Sequence, residues 1–202
     1  MRLFYSSGAC SLSPHIVARE AGIDLRLQQV DLKTKTITTE GDYLDVNPKG
    51  SVPALELDDG EILTEGPTIV QYLADLRPQS NLAPPAGTMA RYRVQEMLGY
   101  INSELHKTYS PLFRAETPPQ TRAEREAYLL KRYALIDRQL EGRQYLFGDS
   151  FTVADAYLFT VTNWAPHVKL DLSQFANLRA FQQRVAARPA VRAALQAEGL
   201  IK

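Results

Sequence analysis

The sequence predicts an α/β domain followed by an all-α helical bundle. Strand and helix signals alternate through residues 1–80, and beyond them strand signals vanish while apolar residues recur at helical spacing. Between the two regimes, residues 78–87 hold Pro78, Pro84, Pro85 and Gly87, the composition of a connection rather than of an element. The chain therefore divides into a first domain at 1–80, a linker at 81–87 and a helical domain at 88–202.

Leu3-Phe4-Tyr5 is a short apolar strand that ends in the turn Ser6-Ser7-Gly8. Residues 13–21 read as a helix, with Ile16, Val17 and Ala21 on one face and Gly22 suited to its C-terminal cap. Residues 25–30 are the next strand, and 31–45 are polar and irregular. Residues 52–57 read as a strand, Asp58-Asp59-Gly60 as a hairpin turn, and Ile62-Leu63 as the returning strand. From Gly66 the pattern is helical: Pro67 fits the first turn, Ile69, Val70, Leu73 and Leu76 form a stripe, and Arg77-Pro78 ends it. This order implies a partly parallel sheet with an antiparallel edge. In the second domain, 89–113 carries Val94, Leu98, Ile101 and Leu105 at helical spacing. Residues 122–140 repeat the pattern, and 153–164 are apolar all round, as in the central helix of a bundle. Residues 177–187 and 190–197 complete the set, separated by Arg188-Pro189.

Bulk composition narrows the partners. Lys plus Arg and Asp plus Glu number 23 each, so no global field draws the chain to nucleic acid or to an anionic membrane. No apolar run approaches the ~20 residues a membrane span needs, and the N-terminus lacks an apolar signal region, so a cytoplasmic protein is expected. One cysteine forms no internal disulfide, and His15, His106 and His167 are not at ligand spacing, so no metal is expected.

Cys10 follows a strand and a turn and precedes a helix. Its sulfur is thus expected at a helix N-terminus, where backbone N–H groups and the dipole favour an anion. Thiols so placed titrate well below the free value of ~8.5. The competing reading is a small buried apolar residue. Cys10-Ser11-Leu12-Ser13 has the spacing of a redox Cys-x-x-Cys motif with serine second, so only a mixed disulfide with an external thiol is open to it. Val52-Pro53 at a strand start is either an ordinary trans bond or a cis bond that turns the Val52 backbone toward an extended peptide. Glu65 and Gly66 suit the α-amino-acid end of a zwitterion, or else simply start a helix. Gly99, Ser103 and His106 share a helix face, with Asn102 beside them and Lys107 adding a cation. That face either closes a cleft opposite Cys10 or faces solvent. Phe151-Thr152-Val153-Ala154-Asp155 reads as a capping box with a folding role.

Together these features resemble the beta class of bacterial glutathione S-transferases over essentially the whole chain. The resemblance rests on Gly8-Ala9-Cys10-Ser11, Val46-Asn47-Pro48-Lys49-Gly50, Val52-Pro53-Ala54-Leu55, Leu63-Thr64-Glu65-Gly66, Glu104-Leu105-His106-Lys107 and Phe151–Phe159. It implies a thioredoxin-like first domain (β-α-β-α-β-β-α), a homodimeric cytoplasmic enzyme, and glutathione as co-substrate with no metal. It also implies that Cys10 faces the glutathione sulfur, that Val52 before cis-Pro53 pairs with the cysteinyl backbone, and that Glu65 and Gly66 hold the γ-glutamyl end. Lys35 is implied near the glycine carboxylate. Asn102, Ser103, Glu104, His106 and Lys107 are implied on the helical side, with His106 and Lys107 approaching sulfur. Two positions depart from the family: Gly99 where Asn is frequent, and Gly66 where some members carry Ser.

The expected chemistry is attack of a thiolate, stabilised by local N–H groups and His106, on a small electrophile, haloaromatic or another xenobiotic. Tyr109, Phe113 and Trp164 are candidate walls for it, or core residues. The alternatives are glutathione-dependent thiol–disulfide exchange through Cys10, or a non-catalytic binding protein on the same fold.

Overall fold

A computed structural model describes residues 1–38 and 41–202. The first domain runs β1 (Arg2–Tyr5), α1 (Leu12–Glu20), β2 (Arg26–Asp31), β3 (Thr36–Ile37), β4 (Ala54–Glu56), β5 (Ile62–Thr64) and α2 (Gly66–Asp75). The sheet order is β3-β2-β1-β4-β5, with β1 parallel to β2 and the other pairs antiparallel. Register explains the layering. Leu27, Leu3, Leu55 and Leu63 stand in one row across four strands and face the helices. On the opposite face Phe4, Val30, Ala54 and Tyr43 form a second, small core.

The helical part comprises α3 (Met89–Tyr100), a π-helical turn (Ile101–His106), α4 (Lys107–Tyr109), α5 (Pro119–Gln139), α6 (Val153–Thr162), α7 (Ala176–Ala186) and α8 (Pro189–Ala197). One apolar core runs unbroken from the sheet's leucine row into these helices. Helix α1 sits at its centre, buried from Leu12 to Ala18 and packed against α2, α6 and α8. Buried Arg91 of α3 ties the two parts at the connection: it bonds both carboxylate oxygens of Asp75 at 2.8 and 2.6 Å and the Pro84 carbonyl at 2.9 Å. Among the described residues no helix is long and apolar enough to cross a membrane, and no group of three or more His, Cys, Asp or Glu is placed to hold a metal.

Two expectations need correction. The helix expected between β2 and β4 is replaced, within the described residues, by β3 and a single 3₁₀ turn, Tyr43–Asp45. Short side chains capture the backbone there: Asp31 accepts from the N–H groups of Lys33 and Thr34, and Asp42 from that of Leu44. Such local bonds compete with helical ones. Part of the expected polar segment, 39–40, lies outside the described residues. The single helix expected over 89–113 is divided into α3, the π turn, α4 and a 3₁₀ turn, Ser110–Phe113. The Ser103 hydroxyl donates to the Gly99 carbonyl and that of Thr108 to Glu104, and Pro111 supplies no N–H.

The capping box forms as expected. The buried Asp155 carboxylate accepts from the Thr152 N–H and hydroxyl at 2.8 and 2.7 Å, and also from the Leu146 N–H at 2.8 Å. It thereby holds a preceding turn as well as starting α6. Thr152→Ala is expected to cost about 1 kcal/mol. Asp155→Ala leaves several buried donors unpaired and is expected to cost about 2–4 kcal/mol. Urea unfolding of both variants checks the order; equal losses would contradict it.

Candidate active site

The helix dipole, the sheet's C-terminal edge and the π turn meet at a cleft of about 250 Å³ between the two parts. Cys10 lines it. Its residue precedes α1, and the N–H groups of residues 10 and 11 are directed at its sulfur, as the sequence predicts. The charge state differs from expectation. Burial outweighs those amides and the nearby Lys107 cation, so the Cys10 thiol is pushed up to about 12. It is a neutral thiol that donates to the Val52 carbonyl at 3.1 Å.

Val52 is held in place by the opposite face of the sheet. The Val52-Pro53 bond is cis. The Tyr43 hydroxyl and the Asn47 amide both donate to the Ser51 carbonyl, at 2.9 and 2.7 Å. Gly50 turns the chain at φ +62°, where an added Cβ would stand 3.2 Å from Leu44 Cδ2. Lys35 lines the cleft, with its Nζ donating to the Gly50 carbonyl at 2.6 Å. Glu65 stands at the rim with φ +70°, its carboxylate bonded to Lys49 Nζ at 2.8 Å. Gly66 begins α2 beside it, and an added Cβ would meet only Pro53 Cγ, at 3.8 Å.

Across the cleft stand Asn102, His106, Lys107 and Tyr157. The His106 Nδ1 lies 2.6 Å from the Tyr157 hydroxyl, which donates to Asn102 Oδ1 at 3.0 Å. Burial, with Lys107 adjacent, lowers His106 to about 4, so its imidazole is neutral at pH 7. Two expected residues are not brought in. Ser103 turns its hydroxyl to the helix, and the Glu104 carboxylate is engaged by Tyr128 and by Arg132 at 2.9 Å. Of the three aromatic candidates, Tyr109 is fully buried with its hydroxyl on that of Tyr133, so it backs the site. Trp164 lies edge-on to His106 and donates to the Gly8 carbonyl at 2.9 Å. Only Phe113, 52% exposed, presents an open ring.

Sequence reasoning missed three contributors. Tyr157 was absorbed into an apolar helix, where only its hydroxyl could have marked it out. Lys49 had no signal of its own. Glu198 of the C-terminal end is buried against the Cys10 loop: its carboxylate accepts from the Gly8 N–H at 3.0 Å and faces His15 Nδ1 at 2.9 Å, and its carbonyl accepts from Ser7.

Comparisons identify this architecture. Models of the N-terminal and C-terminal domains of glutathione S-transferase match residues 8–76 and 100–189. The chain is 50% identical over 200 residues to glutathione S-transferase GstA of Escherichia coli O157:H7, covering 99% of this chain and all of that one. The solved structure of a sphingomonad glutathione S-transferase complexed with glutathione has a TM-score of 0.95 at 44% identity, covering all of both chains. A beta-class glutathione S-transferase of Sphingomonas chungbukensis gives 0.96 at 44% identity, with the same coverage. The chain belongs to the glutathione S-transferase family and is an enzyme of that kind. Its likeness to the Sphingomonas structure sets it in the bacterial beta class, on a thioredoxin-like first domain.

The raised Cys10 thiol has a direct consequence. In the free protein, iodoacetamide alkylation of Cys10 is expected to climb with pH through pH 9 without a plateau. A half-point below pH 7 would contradict a neutral resting thiol.

Proposed function

We propose that the enzyme joins glutathione to small electrophiles, haloaromatic compounds among them, working as a cytoplasmic homodimer. The observation that carries this reading is the convergence of Cys10, the Val52 backbone, Glu65, His106 and Lys107 on one cleft. The proposed ligand-binding unit is 1–80, joined through 81–87 to the helical unit 88–202.

Glutathione lies extended along Val52, whose carbonyl has a second lone pair free beside the one that takes the Cys10 thiol. Its γ-glutamyl ammonium replaces Lys49 on Glu65, and its α-carboxylate takes the N–H groups at the start of α2. Lys35 approaches the glycine carboxylate. The sulfur then stands between Cys10 and the His106–Lys107 side. Its S–H proton passes to His106, and Lys107 favours the anion left behind. That thiolate attacks the electrophilic carbon: the S–C bond forms and, in a haloaromatic, halide leaves with the bonding pair. Phe113 offers a face to the electrophile, with Trp164 and Tyr109 behind it.

Thiol–disulfide exchange is the second reading, and the same cysteine supports it. Cys10 is the chain's one cysteine, so its mixed disulfide with glutathione cannot be resolved internally. Its neutral resting state argues that conjugation, with glutathione as nucleophile, is the main activity.

Cys10→Ala is expected to keep glutathione-dependent conjugation of 1-chloro-2,4-dinitrobenzene and to lose mixed-disulfide formation with oxidised glutathione, read by mass spectrometry. Loss of conjugation with intact glutathione binding would make Cys10 essential to the conjugation step, against glutathione activated without it. Glu65→Gln should raise the KM for glutathione about tenfold by removing a charged acceptor. Gly66→Ser has room for its side chain and should lower that KM by adding a hydroxyl donor. If the wild-type enzyme fails to bind immobilised glutathione and turns over no electrophile with it, the reading falls.

A further inference from the structure

We propose that Tyr157 and Asn102 form a relay that fixes the tautomer of His106, holding the proton on Nδ1 and leaving Nε2 as an acceptor for a thiol. The inference rests on the functional reading above, since it assigns a thiol to the group that His106 serves. Its structural part stands independently of that reading.

The hydrogen-bond chain dictates the proton's place. A tyrosine hydroxyl has one proton to give, and Tyr157 gives it to Asn102 Oδ1 at 3.0 Å. Its oxygen then faces His106 Nδ1 at 2.6 Å with lone pairs only, so Nδ1 must be the donor. A neutral imidazole carries one N–H, which leaves Nε2 unprotonated. Burial reinforces the assignment. Tyr157 is 1% exposed and its hydroxyl is pushed well above the usual phenol range, so it stays protonated.

The local fold is built to hold this chain. Asn102 and His106 both lie in the π turn Ile101–His106, which brings them to the same hydroxyl. Wide turns of this kind recur at functional sites. The Trp164 ring, 4.8 Å away and edge-on, blocks reorientation of the imidazole from another side. The charged groups acting on His106 are its neighbour Lys107 and, from the rim across the cleft, Glu65; Cys10 on the α1 side stays neutral.

The chemistry follows. When a thiol proton moves to Nε2, the S–H bond breaks, an N–H bond forms, and the electron pair stays on sulfur. The imidazolium so made already donates through Nδ1 to Tyr157, and that bond strengthens as charge develops. The opposite tautomer would present an N–H to the thiol and could take no proton. Tyr157 is thus a positioning residue, acting through His106.

Two measurements test the relay. In the resting wild-type protein, ¹⁵N-resolved NMR of the His106 ring should show a protonated Nδ1 and a bare Nε2; the reverse pattern overturns the proposal whatever the activity. Tyr157→Phe should lower kcat for conjugation by about tenfold to a hundredfold, the worth of one hydrogen bond to a charged group. It should also leave the KM for glutathione unchanged and move the acid limb of the kcat/KM profile to lower pH, because the imidazolium loses the acceptor that stabilises it. Asn102→Leu, which frees the Tyr157 proton to point at Nδ1, should shift the profile in the same direction. A Tyr157→Phe enzyme that melts like wild type and keeps its kcat and pH profile refutes the relay while leaving the transferase reading intact. A wild-type enzyme without glutathione-dependent turnover refutes that reading while the NMR pattern still decides the tautomer.

Discussion

The position of the cysteine depends on one buried helix. Every residue of α1 from Leu12 to Ala18 is out of water, wedged between the sheet and helices α2, α6 and α8. A helix so enclosed cannot shift along its axis without opening the core on several sides, because interiors are packed at crystal-like density. Its first turn therefore points at a fixed place, and Cys10 is at that place. The loop leading into it is held from beyond: Trp164 and Glu198 take the carbonyl and the N–H of Gly8. The first domain carries the thiol, but the helical part decides where it stands.

The same enclosure sets the resting charge of the site. Converging amides and a nearby lysine favour a thiolate, yet removal from water disfavours it more, and the outcome is a neutral sulfur bonded to a carbonyl. His106 is driven to neutrality by the same cause. Charge is kept at the rim, on Glu65, Lys49 and Lys107, where solvent carries part of the cost. An interior of neutral donors and acceptors ringed by charges suits a zwitterionic ligand whose ends are ionic and whose middle is not.

Much of this was legible in residue order. The strands, the hairpin at Asp58-Asp59-Gly60, the stop at Arg77-Pro78 and the Thr152–Asp155 cap were readable because each follows from local chemistry. So was the meeting of Cys10, Val52, Glu65, His106 and Lys107, through the blocks shared with the family. What failed was of two kinds. The helix that the family pattern implies between β2 and β4 does not form among the described residues, and the one expected over 89–113 is broken, because short polar side chains outbid the backbone ladder for its own donors and acceptors. And the charge state differs from expectation at Cys10, because the dipole of a helix is visible in a sequence whereas the packing around its end is a property of the assembled domains. Ser103 and Glu104 stand beside His106 in the chain, but their side chains bond the Gly99 carbonyl and Arg132 rather than line the cleft.

The contact between Glu198 and the Gly8 turn joins residues 190 positions apart. During synthesis the segment bearing the thiol emerges 190 residues ahead of the carboxylate that fastens it. A nascent chain that has folded its sheet and α1 still carries an unfastened thiol-bearing turn. Seating of the sulfur thus waits on α8, and a product cut short before Glu198 would fold in part without a properly fastened thiol turn.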